Sequence, residues 1–168
     1  SEDALSVLVP ILEELAGWVH LDSCFVSLPS EEEPHDTIRQ EYCSDPSYSL
    51  VDKDLDLAML DIFNQHFSPS DDIFISDVMR EKKIDPFRKE ILSNYHIYSL
   101  FYLPITYEGK LHGILGGHKC ESEHIWSTDN QNFLRQVADQ LSTSVTTARL
   151  YRRVERQATT DGLTTLFN

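Results

Sequence analysis

The chain has 168 residues, enough to bury a core without disulfide or metal staples, and 40% hydrophobic against 25% charged residues places it among globular domains. Its net charge of -14, from 28 acidic and 14 basic residues, opposes contact with nucleic-acid phosphates and with anionic membranes. Cys24, Cys43 and Cys120 form no disulfide framework, no apolar run approaches a membrane span, and Ser1-Glu2-Asp3 carries no basic leader, so a cytoplasmic setting is expected.

Residues 3–19 read as a helix, with Leu5, Leu8, Val9, Leu12, Leu15, Ala16 and Val19 on one stripe. Pro10 is awkward inside it and implies a kink or a late start. Ser23 to Leu28 has strand composition, Glu31-Glu32-Glu33-Pro34 reads as a solvated hairpin loop, and Thr37 to Cys43 is the partner strand. Asp45-Pro46-Ser47-Tyr48 is a turn. Asp54 to Phe67 is a second expected helix, Ile73-Phe74-Ile75 a short strand, and residues 84–95 a third helix with Pro86 in its first turn.

The centre of the chain is the hairpin from Ser99 to Cys120, turning at Glu108-Gly109. Its first strand is apolar on both faces and so belongs in mid-sheet. Its second carries Gly113, Gly116 and Gly117, which mark either tight packing by neighbouring side chains or a wall against a ligand. A long helix follows, from about Thr128 to Ala158. Leu134, Val137, Leu141, Val145 and Ala148 form one stripe; Leu150, Val154 and Ala158 form a second, shifted one. A helix outrunning its domain with such a stripe finds a partner helix, here a parallel dimer seam weakened by Ser144 and Thr147. Arg149, Arg152, Arg153 and Arg156 read as a solvated face. The order of elements gives an α+β fold, an antiparallel central sheet with helices on its faces.

No nucleophile elbow, zincin motif, phosphate loop or dinucleotide fingerprint is present, so no catalytic residue is assigned. His112, His118 and Cys120 share strand parity, but residues 112 and 118 lie about 20 Å apart along a strand, which leaves too few ligands for a metal. Arg88, beside Phe87, is a candidate to meet an acidic ligand or Asp77 through a charge-assisted hydrogen bond.

Three stretches resemble the GAF domain family, small-molecule-sensing modules of signalling proteins. They are Leu100-Phe-Tyr-Leu-Pro-Ile105 with Leu111-His-Gly-Ile-Leu115, His118-Lys-Cys120 followed by Trp126, and Leu134 to Tyr151. The second is similar to the bilin-binding branch from cyanobacterial photoreceptors. In that branch a Cys-His pair opens the helix before the hairpin, and its sulfur holds the chromophore. Here the matching positions are Phe87-Arg88, and a second cysteine position is Ser47. The resemblance therefore implies no covalent bilin. It leaves a pocket filled by Phe87 and Tyr48, a non-covalent small molecule, or a vestigial site, with Phe74, Asp77, Phe87, Arg88, Tyr95 and His118 as ligand-side candidates.

Thr159 to Asn168 resembles the lead-in of GGDEF diguanylate cyclase domains at Asp161, Leu163, Thr164, Leu166 and Asn168. The expected organisation is a GAF sensor over 1–148, a helical linker over 149–160 and the start of a GGDEF domain over 161–168. The fragment itself is expected to be non-enzymatic. It regulates a following cyclase that makes cyclic di-GMP, and two copies pair through the terminal helix; a ligand-free dimerisation spacer is the alternative.

Overall fold

The structure, a computed structural model, describes residues 6–29, 37–51 and 71–167. The expected helix over 54–67 and the acidic loop at 31–34 lie outside them. Strands β1 (Ser23–Pro29), β2 (Thr37–Cys43), β3 (Ile73–Ile75), β4 (Ile97–Tyr107) and β5 (Lys110–Cys120) form one sheet in the order β2-β1-β5-β4-β3. Every neighbouring pair is antiparallel. With helices α1 (Leu8–Val19), α2 (Pro86–Asn94) and α3 (Thr128–Phe167), this is the α+β architecture the sequence predicts.

The helix starts follow local chemistry. Pro10 falls in the first turn of α1, where backbone N–H groups lack intrahelical partners, so the late start resolves the conflict. Asp85 caps α2 by accepting from the Arg88 backbone N–H at 2.9 Å, with Pro86 at the first helical position. Ser127 Oγ accepts from the Asn130 N–H at 3.1 Å at the head of α3. The central hairpin turns through Glu108 and Gly109, both with positive φ, between the paired Tyr107 and Lys110. That backbone suits a two-residue loop between twisted strands.

Two cores lie on opposite faces of the sheet. On one, Leu12, Leu15 and Val19 of α1 and Leu134, Ala138, Leu141 and Val145 of α3 pack on Val26, Phe101, Leu103 and Leu115. On the other, Leu92 of α2 and the neighbouring Ile84 and Val78 pack on Ile73, Ile75, Leu100 and Tyr102. β4 lies between β5 and β3 and feeds both cores, which is why its two faces are apolar. Trp126 ties the sheet to the start of α3 by donating its indole N–H to the Ile75 carbonyl at 3.0 Å.

The stripe Leu134–Leu141–Val145, expected at a dimer seam, is buried against the chain's own sheet. It is spent on the core because the first half of α3 lies flat on β4. Beyond it α3 leaves the body: Leu150, Tyr151 and Val154 are 49%, 66% and 63% exposed. The helix runs without a break through residues 159–167.

Candidate functional site

Strand alternation sends Ser23 and Phe25 of β1, Arg39 and Glu41 of β2, Tyr102 of β4 and Gly116 and His118 of β5 to the face opposite α1 and α3. The register brings them together: Ser23 stands opposite His118, Phe25 opposite both Glu41 and Gly116, and Tyr102 opposite Gly116. This is a polar cluster in the middle of the sheet, beside the apolar core under α2.

His118 is its hub and is fully buried. Ser23 Oγ lies 3.0 Å from Nδ1 and Tyr102 Oη 2.6 Å from Nε2. Burial, then the nearby Arg39 charge, push its pKa down to about 3, so the ring is neutral. A neutral imidazole carries one N–H, so one contact donates from the ring and the other donates into it. Phe25 and Tyr102 flank the ring, each with centroids 5.6 Å away.

Arg39 forms the second layer. Its guanidinium carbon sits 3.9 Å above the centre of the Phe25 ring, and its Nε is 3.8 Å from Glu41 Oε2; both side chains are more than nine-tenths buried. Glu41 also accepts from Ser49 Oγ at 2.6 Å and from the Leu50 N–H at 2.9 Å. The carboxylate thus fastens the chain after β2 over the cluster.

The expected ligand-side residues do not all meet. His118 is central. Phe74 faces the other way, stacked on Phe101 and tilted on Trp126 at 6.2 and 5.9 Å. Phe87 is 71% exposed and fills nothing. Arg88 pairs with Asp85 one turn back on its own helix. Asp77 caps the short turn after β3, accepting from the Met79 N–H at 3.0 Å and from Tyr98 Oη at 3.3 Å. Tyr95 packs at the edge of the α2 core, and Tyr48 meets His96 edge-on at 6.3 Å. Phe25 and Tyr102 therefore do the filling expected of Phe87 and Tyr48.

Ser23, Phe25, Arg39, Glu41 and Tyr102 are missing from the sequence-based set. Arg39 and Glu41 on alternate residues of a short strand were the available signal, because that spacing puts both charges on one face.

The glycines of β5 are explained by packing. A Cβ on Gly116 would lie 2.4 Å from Phe25 Cζ and 2.7 Å from Tyr102 Cδ1; one on Gly117 would lie 2.4 Å from Phe101 Cε1. The missing side chains make room for the chain's own aromatic rings. Chemistry at the site is limited. Desolvation, the largest cause, raises the Cys43 and Cys120 thiols to about 12. A neutral His118 with so low a pKa is a poor base. Among the described residues no group of three or more His, Cys, Asp or Glu is placed to hold a metal ion, and no helix is long and apolar enough to cross a membrane.

An antiparallel sheet in the order β2-β1-β5-β4-β3, a long exit helix and a polar cluster on the α2 face define the class of fold. Residues 3–145 match the GAF domain family, and the chain belongs to it. Among curated proteins it is 26% identical, over 96 residues, to the circadian input-output histidine kinase CikA of Synechococcus elongatus. That match covers 57% of this chain and only 13% of the kinase. The blue-light absorbing form of the Thermosynechococcus elongatus PixJ GAF domain superposes with a TM-score of 0.71 at 11% identity, covering 92% of each chain. A far-red absorbing dark state of JSC1_58120g3 with bound biliverdin superposes with a TM-score of 0.68 at 17% identity, covering 89% of this chain and 93% of that one. The fold is thus that of cyanobacteriochrome GAF domains.

Proposed function

We propose that this chain is the sensory part of a larger signalling protein and that it regulates a diguanylate cyclase domain following α3, so controlling cyclic di-GMP. The observation that carries this is the division of α3. Its first half is buried in the GAF core and its second half projects as an uninterrupted exposed helix. A rod anchored this way transmits any change in the body to whatever it is joined to. Two copies pair through it, and regulation is a shift between two helix arrangements that the signal binds unequally. The lead-in motif from Thr159 to Asn168 supports a cyclase as the output.

The signal is a non-covalent anionic small molecule, a bilin among the candidates. Phe87-Arg88 lacks the attachment sulfur, and the Arg39–Glu41 pair is suited to exchange for an acidic group. A second reading, a ligand-free spacer, is favoured by the filling of the site with Phe25 and Tyr102 and by the two partners of His118.

Thermal shift with biliverdin, haem and cyclic nucleotides separates them, because a ligand bound only to the folded state raises stability as RT ln(1 + [L]/Kd). The sensor reading expects a shift with no covalent adduct by mass spectrometry. No shift with any of them leaves the spacer. Assay of the full-length protein with GTP tests the output, and absence of cyclic di-GMP synthesis under all conditions removes the cyclase.

A further inference from the structure

A cavity of about 540 Å³ opens between α1 and α3, on the side of the body away from the polar cluster. That volume falls in the range of small-molecule sites. Leu15 and Val19 are buried and form its base. Ile11, Trp18, Phe133 and Val137 complete its apolar lining. Helical spacing gathers them: Ile11, Leu15 and Trp18 share one face of α1, and Phe133 and Val137 one face of α3.

The core does not use all of this surface. Leu12, Leu15, Ala16 and Val19 already cover the sheet from α1, and Leu134, Ala138 and Leu141 cover it from α3. Trp18 and Ile11 stand on the flank, 71% and 44% exposed, and Phe133 is 37% exposed. Apolar side chains gathered in a concavity outside the core, with a polar rim, mark a binding groove.

The rim carries charge of one sign. Glu14 of α1 and Asp129 of α3 are its ionised groups, and Asn130 and Gln140 add amide oxygens that accept hydrogen bonds. Among the described residues no Lys, Arg or His lines the cavity. An anion entering it meets two carboxylates and no counter-charge. A neutral apolar molecule gains the lining alone. A cation joined to an apolar body gains the lining, the carboxylates and the face of an exposed indole. A small polycation with no apolar body is drawn by the same charge but leaves Trp18 and Phe133 uncovered. The net charge of -14 further concentrates cations at the surface.

We propose that the α1–α3 cavity binds an amphipathic organic cation, an aromatic or branched apolar body with an ammonium head. The body seats on Leu15, Val19 and Phe133 against Trp18, and Glu14 and Asp129 hold the head at the rim. The site is separate from the polar cluster, on the opposite face of the sheet, and takes the opposite charge.

The test is titration of the full 168-residue chain with 4-phenylbutylamine, 4-phenylbutanol and 4-phenylbutyrate, which share one apolar body and carry a positive, neutral or negative head. The readout is the indole N–H signals in two-dimensional NMR of isotope-labelled protein. The chain has two tryptophans, and the Trp126 indole is held by the Ile75 carbonyl, so the Trp18 signal is expected to move alone. The amine is expected to saturate it by about 10 mM, an ordinary affinity for so small a ligand. The alcohol binds more weakly and the acid most weakly. Glu14→Gln and Asp129→Asn are each expected to weaken the amine about two- to fivefold, as for exposed charge pairs, and to leave the alcohol unchanged. Both carboxylates are exposed, so neither change threatens the fold. Added salt weakens the amine and spares the alcohol. A Trp18 signal that moves with none of the probes overturns the site. Equal affinity for the amine and the acid, or equal loss of amine and alcohol in the two variants, overturns the selection of a cation. A signal that follows protein concentration and ignores the amine shows the cavity taken by another protein surface, and overturns the proposal as well.

Discussion

Ser23 and Tyr102 reach His118 from two strands on either side of β5, and together they turn a buried imidazole into a structural joint. A neutral ring with a folded pKa near 3 has a definite linkage to stability. The unfolded chain takes up a proton near the ordinary value of 6.5, and the folded chain does not until near 3. Stability from this group is therefore complete above about pH 6.5 and declines by about 1.4 kcal/mol per pH unit as the pH falls towards 3. Chemical denaturation of the wild type and of His118→Gln between pH 7 and pH 4 checks this. The variant is less stable at pH 7, and its stability falls less steeply with acid. Parallel slopes remove the claim. The thiols give a second prediction at this scale. With Cys43 and Cys120 raised from 9.0 to about 12, the thiolate fraction is roughly a thousandfold below that of a free thiol. Alkylation of the folded chain by iodoacetamide at pH 8 is expected to be slower than that of glutathione by at least two orders of magnitude, and labelling at a comparable rate contradicts it.

Strand β5 shows how one element serves both cores. Gly116 opens space on the α2 face for Phe25 and Tyr102, and Gly117 opens space on the α1–α3 face for Phe101 and Leu21. Neither has positive φ, so the requirement is room and not backbone freedom. Gly116→Ala is expected to destabilise by about 1–3 kcal/mol, because the rings it strikes are held on both sides and cannot retreat cheaply. Gly109→Ala in the turn, at φ 76° with nothing near its Cβ, costs less, about 1 kcal/mol, from backbone strain alone. Urea midpoints of the two variants rank these costs, and the reverse order rejects the packing account. α3 follows a related logic. Adjacent faces of one helix carry two apolar stripes, and the sheet takes the one that includes Leu134 and Leu141.

At the scale of the whole molecule, the GAF body and the rod separate in their energetics. Leu134, Ala138, Leu141 and Val145 are buried, whereas Leu150, Tyr151 and Val154 are open. Removal of residues 149–168 is therefore expected to leave the melting temperature of the body nearly unchanged at low protein concentration while reducing self-association. Calorimetry and size measurement on both lengths check this. A large loss of stability in the shortened chain, under conditions where both are monomeric, shows the rod to be part of the core. Glu41 holds the Ser49–Leu50 segment across the face that His118 and Arg39 line, and in the sensor reading proposed above this cluster is where a signal enters.

Periodicity and turn chemistry in the sequence by themselves determined the strands, the described helices, the hairpin turn at Glu108-Gly109 and the α+β class, because each depends on near neighbours. The resemblance in the central hairpin and exit helix was likewise local, and it led to the family. Only the tertiary structure decided which side chains meet. Phe74 and His118 both looked like pocket residues, yet strand parity and register send them to opposite faces. Ser23, Arg39 and Glu41 become a site only when β1 joins β2 to β5. The same holds for α3, whose two stripes are each plausible seams until the sheet covers one. Pairing across strands and the choice of buried face depend on contacts between residues far apart in the chain, and no local pattern encodes them.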